Sequence, residues 1–81
     1  MNTTLDKLPI NEIGTIQKLN SNKEIKRRLM DLGMIKGTKI KALYKSPLGD
    51  PVAYLTRGSV LAIRNEDAKN ITIKIEDVKN D

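Results

Sequence analysis

The sequence predicts a mainly β domain with one inserted helix, folded as a small, partly closed antiparallel barrel of about five strands. Three observations carry this. Five short apolar segments (13–19, 38–45, 52–56, 60–64 and 71–75) are separated by glycine, proline, asparagine and aspartate, the pattern of strands joined by tight turns. One stretch, Ser21 to Leu32, instead repeats its apolar residues at helical spacing. The chain has 81 residues, enough for a single such domain, expected to span residues 1–81 with an ordered core at about 5–76.

The elements follow in order. Leu5, Leu8 and Ile10 flank Pro9, giving a short entry segment and a turn over Pro9 to Glu12. Ile13 to Leu19 reads as the first strand, and Gly14 suggests a bulge there. In the helix, Ser21 and Glu24 have the spacing of a capping box. Ile25, Leu29 and Leu32 form its apolar stripe, and Gly33 follows as the stop. Met34 or Ile35 can then fold back onto the helix. Asp31, in the last turn, opposes the helix dipole unless it pairs with Arg27 or Arg28 or caps a neighbouring loop.

Gly37 supplies a turn before the strand Thr38 to Lys45. Alternation puts Thr38, Ile40, Ala42 and Tyr44 on the core face and Lys39, Lys41, Leu43 and Lys45 on the other. Ser46 to Pro51 is a loop stiffened by Pro47 and Pro51 and turned at Gly49-Asp50. Val52 to Thr56 and Val60 to Arg64 are strands joined tightly through Arg57-Gly58-Ser59. Asn65 reads as the N-cap of a single helical turn, and Ile71, Ile73 and Ile75 alternate in the last strand. The tail after Glu76 is expected to fray.

Composition narrows the chemistry. There is no His, Cys, Phe or Trp, and only two Tyr, so the core must be aliphatic. Without His or Cys the common nucleophile–base pairs and the soft ligands of transition metals are missing, and no cofactor or tight metal site is expected. The loop PLGDP lacks the second glycine and the Lys-Ser/Thr of a phosphate-binding P-loop. No enzymatic activity is expected. No apolar run approaches the roughly 20 residues of a membrane span, and the N-terminus lacks a secretory pattern, so a cytoplasmic protein is expected.

The net charge of +5 is concentrated: residues 23–45 hold eight basic residues against Glu24 and Asp31. A basic segment suits encounter with an acidic partner or an anionic membrane surface. It also suits a small nucleic-acid-binding barrel, although stacking platforms need more aromatics than two tyrosines supply. Leu48, between two prolines, is either a stiff apolar tip for a partner or a plug that folds back to close the barrel end. Sheet edges leave self-association open.

Several motifs occur together and in order: RRLMDLG (27–33), GTKI (37–40), SPLGDP (46–51), then Arg57-Gly58 and Leu61-Ala62-Ile63-Arg64 with Glu66 and Ala68. This set resembles the FeoA family over Leu5 to Ile75. The resemblance implies an SH3-like barrel with an inserted helix, in a small bacterial cytosolic protein of ferrous iron transport. It also implies a partner, the cytosolic domain of the FeoB-type membrane transporter, which such proteins bind or regulate, with placement peripheral to the inner membrane through that partner. Two departures fall in turns: Lys36 stands where the family often has Pro, and Asn11 where Gly is common. The residues expected to meet the partner are Leu48 with Pro47, Gly49 and Asp50 shaping its loop. Met34 and Leu43 are secondary apolar contacts, and Arg27, Lys39 and Lys41 electrostatic ones. Nucleic acid is not the expected ligand, and the small basic nucleic-acid binder is the alternative.

Overall fold

The computed structural model describes residues 1–75. The expected fraying of the tail concerns residues outside this range. Six strands form one antiparallel sheet: β1 (Asn2–Thr4), β2 (Ile13–Leu19), β3 (Lys39–Lys45), β4 (Val52–Thr56), β5 (Ser59–Ile63) and β6 (Ile71–Ile75). Two helices interrupt them, α1 (Lys23–Asp31) after β2 and the single turn α2 (Asn65–Ala68) after β5. The strand order is β1-β6-β2-β3-β4-β5. The five expected strands and the inserted helix are all present, and β1 is an addition. It is polar and three residues long, with Thr3 opposite Ile73, so backbone pairing to β6 defines it rather than an apolar alternation.

One face of the sheet surrounds a single core. Ile16, Ile40, Tyr54, Ile71 and Ile73 from the strands meet Leu5, Met34 and Ala68 from the connections, all essentially inaccessible. Leu5 starts a 3-10 turn, Leu5–Lys7, and its carbonyl accepts from the Tyr54 hydroxyl at 3.4 Å. The core is aliphatic as composition requires, with Tyr54 its one aromatic ring.

Two irregularities move residues away from simple alternation. Between β3 and β4 the register passes from Ala42↔Tyr54 to Tyr44↔Ala53, so Leu43 is an extra residue. Beyond this bulge the faces exchange. Ile40 and Ala42 are buried as expected, whereas Tyr44 is 60% exposed rather than in the core and Leu43 is half-buried. The bulge in β2 lies between Ile16 and Lys18, not at Gly14. Gly14 has a different role: a Cβ there would lie 2.8 Å from Ile73 Cδ1, so glycine permits close packing of β6 onto β2.

Helix α1 is capped by Asn22, whose Oδ1 accepts from Ile25 N at 2.9 Å. Ser21, the expected cap, lies one residue too early, and its buried Oγ has no partner among the described residues. Leu29 is the buried residue of the stripe, Ile25 is partly buried against the core, and Leu32 at the C-cap is 50% exposed. Gly33 ends the helix with φ 91° and Met34, not Ile35, folds back into the core. Asp31 pairs with neither arginine; among the described residues the one ion pair is Arg64–Glu66 at 3.7 Å on the surface.

The family departures fit the backbone. Thr38 N donates to Ile35 O at 3.0 Å and Gly37 has φ 92°, a type II turn with Lys36 at the position that favours but does not require proline. Asn11 has φ 73°, and asparagine is the residue after glycine that best tolerates the left-handed region.

Candidate docking surface

The loop between β3 and β4 is built by its own residues. Gly49 N donates to Ser46 O at 2.8 Å, closing a turn with Pro47 in its second position, where a fixed φ is favourable. Ser46 N donates to Pro51 O at 3.1 Å across the base. The loop is also fastened to α2. Asp50 Oδ1 accepts from Asn65 N at 2.9 Å, and Asn65 Nδ2 donates to Gly49 O at 3.2 Å. Asn65 is therefore the first residue of α2 rather than its cap. The capping acceptor for this helix comes from Asp50, fifteen residues earlier in the chain.

This bracing leaves Leu48 at the tip with 95% of its surface in water. It does not fold back to close the barrel. The core already holds Leu5, Leu8 and Ala68 from the connections, and the two loop-to-helix bonds hold the tip away from it.

The other expected contact residues divide. Met34 is fully buried beneath the end of α1 and cannot meet a partner. Leu43, at the bulge, is half-buried. Lys39 is exposed and Lys41 partly so on the outer face of β3. Lys39 begins that strand, about 20 Å by strand rise from the loop at its other end. Arg27 is exposed on α1, lining shallow grooves with Lys23, Glu24 and Asp31. The expected single patch of loop and lysines is thus spread along the length of β3, with Lys45 as the basic residue that adjoins the loop.

Alternation within single segments did not show what the sheet assembles. Register places Ile13, Lys41, Leu55 and Val60 side by side across four strands on the outer face. Ile13, Leu55 and Val60 are 48, 37 and 57% exposed, and Tyr44 extends this apolar surface beyond the bulge. The signal available was the surplus of apolar residues in β4 and β5, VAYLT and SVLAI, too many for one buried face.

Burial, with Asp6 and then Asp50 adding to it, pushes the Tyr54 phenol up to about 12. Its role is packing and a hydrogen bond. Among the described residues no three His, Cys, Asp or Glu side chains converge as a metal site, and no helix is long and apolar enough to cross a membrane.

These features define a small SH3-like β domain with one inserted helix. The solved FeoA of Chlorobium tepidum shares the fold with a TM-score of 0.89 and 32% identity, over 96% of this chain and 74% of that one. The FeoA of Stenotrophomonas maltophilia, solved with zinc and described as a prokaryotic SH3 domain protein, has a TM-score of 0.79 and 28% identity over 89% of each chain. A Campylobacter jejuni protein described as a candidate Fe(2+) transport protein A is 29% identical over 72 residues, 89% of this chain and 97% of its own length. The FeoA domain profile matches residues 3–75. The chain belongs to the FeoA family.

Proposed function

We propose that this chain is a non-enzymatic accessory protein of bacterial ferrous iron transport. It docks on the cytosolic domain of a FeoB-type membrane transporter through the loop carrying Leu48. The supporting observation is the tip itself, a leucine 95% exposed on a turn braced at Asp50 and Gly49. Burying such a side chain contributes about 1.5–3 kcal/mol, and little ordering entropy is lost because the loop is already held. Lys45, with Lys41 and Arg27 at longer range, steers an acidic partner toward this end. The protein is then cytoplasmic and peripheral to the membrane through its partner. Membership of the FeoA family supplies the transport system, and the Stenotrophomonas maltophilia relative is described as a candidate ferrous iron transport activating factor.

The test is a titration of the transporter's isolated cytosolic domain with wild type, Leu48→Ala and Leu48→Asp. The alanine variant is expected to bind roughly tenfold more weakly, from the lost burial, and the aspartate variant not measurably. If both bind like wild type while keeping its unfolding midpoint, the loop is not the contact.

A nucleic-acid reading gains one observation, the exposure of Tyr44 near Lys41 and Lys45. A lone ring offers one stacking position, about 1–3 kcal/mol, on a face otherwise apolar toward β4 and β5. Binding of mixed DNA and RNA at low salt would support it, and none is expected.

A further inference from the structure

The sheet ends on one side at β5, whose outer edge carries no partner strand among the described residues. The two-residue turn Arg57-Gly58 makes Thr56 and Ser59 a bonded pair, so Ser59, Leu61 and Ile63 direct their backbone groups to β4. The N–H and C=O of Val60 and Ala62 then point outward, and among the described residues nothing bonds to them. Sheet edges in monomeric proteins are commonly guarded by lysine, proline, bulges or extreme shortness. The other edge, β1, is three residues long. β5 is five residues, Ser-Val-Leu-Ala-Ile, with no charge, no proline and no register shift against β4.

Both sides of this edge are prepared for side chains. Toward the helix, a groove of about 310 Å³ lies between α1 and β5, with the half-exposed Leu32 and the partly buried Leu61 in its walls. On the outer side Val60 is 57% exposed and continues into Leu55. An extended segment alternates its side chains, so one set would enter the groove and the other would lie over Val60 and Ala62. At the Ile63 end the edge leads directly to Asn65, the residue to which Asp50 and Gly49 fasten the Leu48 loop.

We infer that β5 accepts an extended segment of the protein partner as an added strand. The segment has apolar residues on alternate positions and at least one carboxylate for the groove. The charge follows from Arg28 and Arg64, which line the groove against a single acidic residue there, Asp67; Arg64 also meets Glu66 in an exposed pair. The same arginines, on a chain of net charge +5, disfavour a second copy as the occupant. This inference rests on the docking reading and extends it, because edge and loop form one continuous surface: backbone bonds hold the segment along β5 and Leu48 anchors its neighbour.

The experiment uses the full chain with the transporter's cytosolic domain as probe. Ala62→Pro removes an outward N–H that no internal bond uses, at an edge position where proline is tolerated. Val60→Lys installs the edge guard the strand lacks. Both variants are expected to keep the wild-type circular dichroism spectrum. Each is expected to bind roughly tenfold more weakly, Ala62→Pro by losing a backbone hydrogen bond and Val60→Lys by setting a charge against an added apolar strand. Amide exchange of wild type is expected to slow at Val60 and Ala62 on binding. If wild type binds and both folded variants match it, the edge inference is overturned while the loop reading stands. If wild type does not bind at all, both fall. If wild type sediments as a dimer that Ala62→Pro dissociates, the occupant is a second copy and the partner-segment inference is wrong.

Discussion

Replacing Asp50 by alanine removes the one side-chain acceptor that, among the described residues, reaches the start of α2, since Arg64 at the N-cap offers none. The bond is 2.9 Å and joins positions fifteen residues apart, so its loss both uncaps a helical turn and unfastens the loop. Cap-to-alanine changes cost about 1 kcal/mol, within a range of roughly 0.5–2. The Asn65 Nδ2 bond to Gly49 O remains, which argues for the middle of that range. For a domain of this size, about 1 kcal/mol lowers the melting midpoint by about 4–8 °C. Asp50→Asn keeps an acceptor in place and is expected to lose less than about 0.5 kcal/mol. Thermal unfolding followed by circular dichroism gives the stability, and hydrogen exchange at the Asn65 amide reports the bond itself. Affinity for the transporter domain is expected to fall only a few-fold in Asp50→Ala, through the ordering cost of a loosened loop. A melting midpoint for Asp50→Ala within 1 °C of wild type, or an asparagine variant as damaged as the alanine one, would refute the view that this bond braces the loop.

Three further outcomes test the packing. Gly14→Ala places a methyl 2.8 Å from Ile73 Cδ1 and is expected to cost about 1–3 kcal/mol; adding Ile73→Val removes that carbon, so denaturant melts should show the double variant less damaged than the two single losses combined. The Tyr54 phenol is held up at about 12 against about 10 when unfolded. Its contribution is therefore complete below pH 10 and lost as pH rises toward 12, on the order of 2–3 kcal/mol, and Tyr54→Phe should flatten stability over that window in urea melts. Lys36→Pro puts proline at the second position of the type II turn, where the Lys36 N–H makes no backbone bond among the described residues; chemical denaturation should show a gain of about 0.4–1 kcal/mol.

Much of the fold could be read from local chemistry. Gly33 and Gly37 punctuate as their positive φ angles require, and Ile71, Ile73 and Ile75 alternate without interruption in β6. What could not be read depends on pairing between distant segments. The extra residue Leu43 turns Tyr44 outward only because β4 lies opposite. Asn22 rather than Ser21 caps α1 because one residue of chain direction decides which side chain faces the first turn. The three polar residues of β1 carry no pattern of their own and become a strand by bonding to β6. For the candidate site, the stiffness of PLGDP was visible in its prolines, whereas its anchorage by Asn65 was not. The open edge at β5 appears only once the strand order is known, because the same five residues in a central position would be ordinary core sheet.

A partner that meets the Leu48 loop and the β5 edge as one surface leaves a footprint in backbone amide shifts of the labelled full chain titrated with the transporter's cytosolic domain. Perturbations are expected to be concentrated at Leu48, Gly49 and Asp50 and to continue through Ala62 and Val60, with β1 and β6 unchanged. Perturbations confined to β1, β6 and the N-terminal face of α1, with Leu48 silent, would contradict this single surface.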